Sequence, residues 1–174
     1  MSQRRRVLGA SNGSLDSPVI FIGEAPGRLG ADRFGIPLYG DQAGKNFELF
    51  LWHANLAREN IFITNSVLCN PRTEKGNNDP PTRVEAIHCS RFLEETLRLV
   101  RPDFVVTLGA QALESLGLIQ PHAFRLGTDV GKLLPWGDYI VMPLYHPAAR
   151  AFVWRPREEQ IKDYTRLGQI LRVR

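Results

Sequence analysis

Val19-Ile20-Phe21-Ile22-Gly23-Glu24-Ala25-Pro26-Gly27 decides how this chain is read. Its first four residues are apolar, β-branched or aromatic, and do not alternate with polar ones. Such a run suits a strand covered on both faces. It stops at Gly23, and the next residues set a carboxylate among small neighbours in a tight turn. Three further bursts share this character: Ile61-Phe62-Ile63-Thr64 runs into Asn65, Phe104-Val105-Val106-Thr107-Leu108 ends at Gly109, and Tyr139-Ile140-Val141-Met142 ends at Pro143. The stretch 130–134 is a weaker strand signal.

Helical patterns fill the intervals. Asp41 is placed to cap a helix carrying Phe47, Phe50, Leu51 and Ala54 on one face, an i, i+3, i+4, i+7 spacing. Thr82-Arg83-Val84-Glu85 reads as a capping box. The helix it opens aligns Cys89, Phe92, Leu93, Thr96, Leu97 and Val100, with Pro102 just past its end. Residues 110–116 form a short helix stopped by Gly117, and 157–171 form the last. Strands alternating with helices predict an α/β/α sandwich around a central, mainly parallel four-stranded sheet.

The 174 residues are expected to form a single domain. Hydrophobic residues at 43% and charged residues at 23% exclude wholesale disorder. No apolar run approaches the ~20 residues of a membrane span, and Val7-Leu8 after Arg4-Arg5-Arg6 is too short for a signal-peptide core. Two cysteines make no secreted disulfide framework. A soluble, cytoplasmic protein is expected.

Of the 22 basic residues 18 are Arg. The positive excess lies in a basic N-terminal tail, 1–15, and a basic C-terminal loop and helix, 150–174, while the middle is net acidic. Arg pairs bidentately with phosphate and stacks on bases, so this distribution suggests a polyanion partner.

In open parallel sheets ligands bind beyond the carboxyl ends of the strands. Here those ends deliver Glu24 within 23–27, Asn65-Ser66, Gly109-Ala110-Gln111, and His146-Pro147-Ala148-Ala149. A carboxylate, an amide and an imidazole converging on one crevice can hold a water, read a hydrogen-bonding edge and polarise a leaving group. Each has a plainer use, as loop cap, turn residue or packing histidine; their shared strand-end position favours chemistry.

Gly-Glu-Ala-Pro-Gly at 23–27 and His-Pro-Ala-Ala at 146–149 resemble the first and closing motifs of the uracil-DNA glycosylase superfamily, in the form used by its iron–sulfur family 4. Between them Gly35-Ile36-Pro37-Leu38-Tyr39-Gly40, Ile63-Thr64-Asn65, Cys69-Asn70-Pro71 and Leu108-Gly109 fall in the family's order. The resemblance implies an enzyme that flips uracil out of DNA, single- or double-stranded, and hydrolyses its glycosidic bond, leaving an abasic site. A monomer is expected, as suits an enzyme that must approach long DNA.

It further implies roles for particular residues. Glu24 would orient or activate the water, with Gly23, Ala25, Pro26 and Gly27 shaping the loop around the base. Asn65 would read uracil, and His146 would hydrogen-bond its O2 as charge develops. Tyr39, or else Phe34, would cover the base, although the family has Phe where this chain has Leu38 before Tyr39. The segment after His146 would enter the DNA: Arg150 and Phe152 as wedge or clamp, Arg155, Arg157 and Arg166 on phosphates. Family 4 holds a [4Fe–4S] cluster on four Cys, two of them an amino-terminal CxxC. This sequence offers Cys69 and Cys89 alone, so no cluster is expected and both are expected to be core residues. Two other readings remain at this stage: excision of another deaminated base, hypoxanthine or xanthine, and a DNA-binding homologue without catalysis.

Overall fold

A computed structural model describes residues 4–172. Its elements run β1 (Val19–Gly23), α1 (Ala31–Phe34), α2 (Gln42–Ala54), β2 (Phe62–Asn65), α3 (Arg83–Val100), β3 (Phe104–Leu108), α4 (Ala110–Leu116), α5 (Leu126–Asp129), β4 (Leu134–Trp136), β5 (Tyr139–Leu144) and α6 (Arg157–Arg172), with short 3₁₀ turns between. The sheet has the order β2-β1-β3-β5-β4. Its first four members are mutually parallel, and β4 pairs antiparallel with β5.

The sheet thus has five strands where four were expected. The weak apolar stretch at 130–134 overlaps the extra one only at Leu134; β4 is centred on Pro135 and reads poorly as a strand. Pro is tolerated there because β4 is an edge. The signal that marks it is Gly137-Asp138, a two-residue hairpin turn with Gly137 at φ 56°.

Period-two alternation along the buried strands divides their side chains between two cores. Val19, Phe21, Ile63, Phe104, Val106, Met142 and Leu144 face α2 and α6, where Phe47, Phe50, Leu51, Tyr164 and Leu167 meet them. Ile20, Ile22, Phe62, Val105 and Val141 face α3 and α4 through Leu93, Leu97, Val100, Leu113 and Leu116. This is the expected three-layer sandwich. Gly168 is needed where α6 crosses α2, since a Cβ there would lie 1.9 Å from the Ala54 carbonyl oxygen.

Both predicted caps form. Asp41 accepts from the Gly44 amide at 2.9 Å, and Thr82 and Glu85 close a reciprocal box. The basic amino-terminal segment is not a free tail over its described part. Val7 is fully buried and donates its N–H to the Leu68 carbonyl, and buried Asn12 donates to the Ile63 carbonyl. Among the described residues no helix is long and apolar enough to cross a membrane.

Candidate active site

Parallel pairing brings the strand ends together: Gly23 stands in register with Asn65, and Leu108 with Leu144. Beyond them opens a cavity of about 320 Å³ lined by Glu24, Ala25, Pro26, Gly27, Leu38, Asp41, Asn65, Asn70, Asn78, His146 and Arg150, among others. That size is at the small end of ligand pockets, roughly 300–1,000 Å³. Glu24, Asn65 and His146, predicted from three separate strand ends, line one space.

The loop carrying Glu24 is fixed from β2's side. Ser66 donates its N–H to the Gly23 carbonyl at 2.8 Å and its hydroxyl to the Glu24 carbonyl at 2.8 Å; the Val67 N–H reaches the same oxygen. Burial raises the Glu24 carboxyl above its ordinary value, and the Arg150 guanidinium, 3.9 Å away, pulls it back down. The carboxylate is therefore held beside one exposed cation at the cavity mouth.

Asn65 is buried, and its Nδ2 has no hydrogen-bond partner. A buried amide donor left unpaired costs on the order of 1–3 kcal/mol. Such a cost persists where a ligand supplies the missing acceptor. Its other end explains Gly23: a Cβ at that position would lie 2.6 Å from Asn65 Oδ1.

His146 is enclosed by protein apart from its face on the cavity. Burial lowers its pKa from 6.5 to about 4, assisted by Arg150 and opposed by Asp41. The ring is thus neutral near pH 7. Its Nδ1 accepts from the Ala148 N–H at 3.1 Å, which leaves the proton on Nε2. A neutral imidazole with one fixed N–H can donate to an oxygen that is gaining negative charge.

These shifts make opposite contributions to stability. Because the folded pKa of His146 is depressed, its contribution is present above pH 6.5 and is lost as pH falls towards 4. Glu24, shifted upward, works the other way: its contribution is lost as pH rises through the carboxylate range. Urea unfolding at pH 7 and pH 4.5 is expected to show wild type losing about 2 kcal/mol more than His146→Asn. Equal losses would exclude a depressed histidine.

Other expected residues fall differently. Leu38 adopts φ 47°, unusual for a non-glycine residue, and Arg58 holds this turn by donating to the Pro37 and Leu38 carbonyls at 3.0 and 2.9 Å. The turn puts Leu38 on the cavity wall and leaves Tyr39 outside it, 45% exposed and edge-on to Phe34. Neither Tyr39 nor Phe34 lines the cavity. Phe152 packs half-buried against the α2/α6 core, whereas Val153 and Trp154 after it stand exposed, at 82% and 71%.

Arg155 is not a free phosphate ligand. Asp163 engages its guanidinium at 2.6 and 2.8 Å, an internal pair that raises its pKa further. Arg157 is exposed but leans on Asn46 Oδ1 at 3.4 Å, and Arg166 is exposed. Of the cations named from sequence, Arg150 alone borders the cavity.

Cys69 is buried, but Cys89 is only half-buried, because the first half of α3 stands away from the sheet and exposes Val84 and Ile87. The two thiols border a second cavity of about 570 Å³ with Arg6 and Phe92. Burial and the neighbouring Cys89 push the Cys69 thiol's pKa up. Two thiols do not satisfy a four-thiolate cluster, and among the described residues no three His, Cys, Asp or Glu side chains gather to hold a metal. The donor set of this chain does not fit the cluster that the sequence resemblance implies.

Comparison with known proteins agrees with this architecture. A type-4 uracil-DNA glycosylase of Archaeoglobus fulgidus is 33% identical over 163 residues, covering 91% of this chain and 79% of that protein. One from Thermotoga maritima is 31% identical over 151 residues, covering 86% and 73%. A type-5 uracil-DNA glycosylase of Pyrobaculum aerophilum is 31% identical over 153 residues, covering 78% and 63%. The model of the uracil DNA glycosylase superfamily matches residues 10–167, nearly the whole of the sandwich and its strand-end cavity, and the chain belongs to that superfamily.

Proposed function

We propose that the protein excises uracil from DNA by hydrolysing the N-glycosidic bond. The observation that carries this reading is the partnerless Nδ2 of buried Asn65, set in a cavity it shares with a carboxylate and a neutral histidine. Uracil presents an acceptor at O4 and a donor at N3–H. An asparagine amide meets both, with Nδ2 donating to O4 and Oδ1 accepting from N3.

Each remaining group has a place in the bond-breaking step. As the bond between C1′ and N1 lengthens, the sugar acquires oxocarbenium character and the base takes the electron pair. The ionised Glu24 stabilises the cationic sugar, orients the water that bonds to C1′ and accepts its proton. His146 Nε2–H donates to uracil O2 as negative charge gathers there. The base must leave the stack to enter the cavity, at a cost of a few kcal/mol. Val153 and Trp154, exposed just after the cavity-lining Arg150, fill the gap it leaves in this reading, with Arg150 on a flanking phosphate.

The reading also covers what lies around the site. The fold is held without an iron–sulfur cluster, its stabilising role passing to the packing of Val7, Leu68 and the 70–80 loop. The protein works as a cytoplasmic monomer on single- or double-stranded DNA.

Incubation with a single-stranded oligonucleotide carrying one uracil, followed by alkali, is expected to give one cleavage product at that position. Glu24→Ala is expected to lower its rate about 10²-fold. Clean wild-type protein that leaves uracil in place would overturn the reading, and oligonucleotides with hypoxanthine or xanthine in the same assay would identify a different base.

A further inference from the structure

Two buried asparagines outside the expected catalytic set hold the two site loops in the same manner. Asn70, 1% exposed, donates its Nδ2 to the Pro26 carbonyl at 2.6 Å. Asn46, 2% exposed on α2, donates its Nδ2 to the Pro147 carbonyl at 2.7 Å. Each proline closes the short stretch that bears a reacting side chain: Pro26 lies two residues after Glu24, and Pro147 directly follows His146.

A proline's φ is fixed by its ring and it has no N–H. Its carbonyl is therefore the backbone handle left to hold, and fixing that oxygen fixes the remaining dihedral of the turn. Both amides are themselves held. Asn70 also donates to Asn78 Oδ1 at 2.9 Å and accepts from Arg72 Nε at 2.9 Å. Asn46 Oδ1 accepts from Gln42 at 3.2 Å and from Arg157 at 3.4 Å.

We propose that Asn46 and Asn70 are positioning residues, one for His146 and one for Glu24, and that together they set the distance across which water and leaving base are held. This rests on the uracil reading above. Misplacement of a reacting group by about 1 Å can cost about 10²-fold in rate. Neither asparagine needs to touch the substrate to matter on that scale.

The test is single-turnover uracil release at saturating enzyme, with the active fraction taken from the amplitude. Asn46→Ala and Asn70→Ala are expected to lower the rate constant about 10- to 100-fold while DNA affinity changes less than about threefold. Pairing distinguishes positioning from mere support. Asn46→Ala is expected to add little to His146→Ala but its full effect to Glu24→Ala, and Asn70→Ala the reverse. Where an alanine variant fails to fold, Asn46→Asp or Asn70→Asp keeps the volume and presents an acceptor to the carbonyl, with the same pattern expected.

Rate constants within about twofold of wild type, a loss confined to the active fraction, or equal additivity with both partners would overturn the assignment. An inactive wild type would sink the uracil reading instead. Active wild type with indifferent asparagine variants would sink the clamps alone.

Discussion

Asn65→Asp is expected to lower uracil release by about 10⁴-fold, the largest loss from a change of one heavy atom. The reason is the reversal of a single hydrogen-bonding position. In the native protein the buried Nδ2 has no partner, and the proposed reading has it donate to O4. Aspartate places an oxygen there, which repels O4 and leaves both groups desolvated without a bond. A cytosine amino group, conversely, would find an acceptor at that position. The expected outcome is thus lost discrimination as well as lost rate, measured on uracil and cytosine in one sequence context. A variant retaining a tenth of wild-type activity would show that the amide does not read the base. Gly23 bounds the design, because its missing side chain lets the amide lie where it does.

His146→Ala is expected to cost about 10³-fold in the rate of bond breaking, with DNA affinity little changed. In the proposed reading the histidine acts on the transition state: O2 is an ordinary carbonyl in the bound base and acquires charge only as the bond opens. With its pKa held at about 4 by burial and Arg150, the ring meets that charge as a neutral donor rather than as a cation. The wild-type rate should therefore stay flat across neutral pH, with no step near 6.5, and fall on the acid side as Glu24 takes up a proton. A rate that rises on acidification through 6.5 would mean that imidazolium is the working form.

The layers and the four parallel strands were legible because buried strands write themselves as unbroken apolar runs, and the carboxyl-end rule then named Glu24, Asn65 and His146. What escaped was governed by backbone turns and by competition among side chains. The left-handed Leu38 exchanges the places of Leu38 and Tyr39, and no periodicity announces it. Arg155 looks like any surface arginine until α6 brings Asp163 beneath it. Phe152 and Trp154 are indistinguishable in sequence, yet the 3₁₀ turn Ala149–Val153 takes one into the core and leaves the other outside. Pro135 hid the fifth strand. The positioning asparagines were invisible for a simpler reason: Asn46 lies 101 residues from the carbonyl it holds.

The order β2-β1-β3-β5-β4 has a bearing on how the protein acquires its activity. The amide of Asn65, the carboxylate of Glu24 and the imidazole of His146 come from β2, β1 and β5, and β3 is the wedge that joins the early strands to the late one. During synthesis the emerging chain holds two of the three groups for some eighty residues before the last is made. A fragment ending short of His146 lacks the imidazole that the proposed reading sets against the leaving base, and is expected to release uracil at least about 10³-fold more slowly than the whole protein. In that reading full competence waits on the last parallel strand, whose docking on β3 carries His146 to the cavity that Glu24 and Asn65 line.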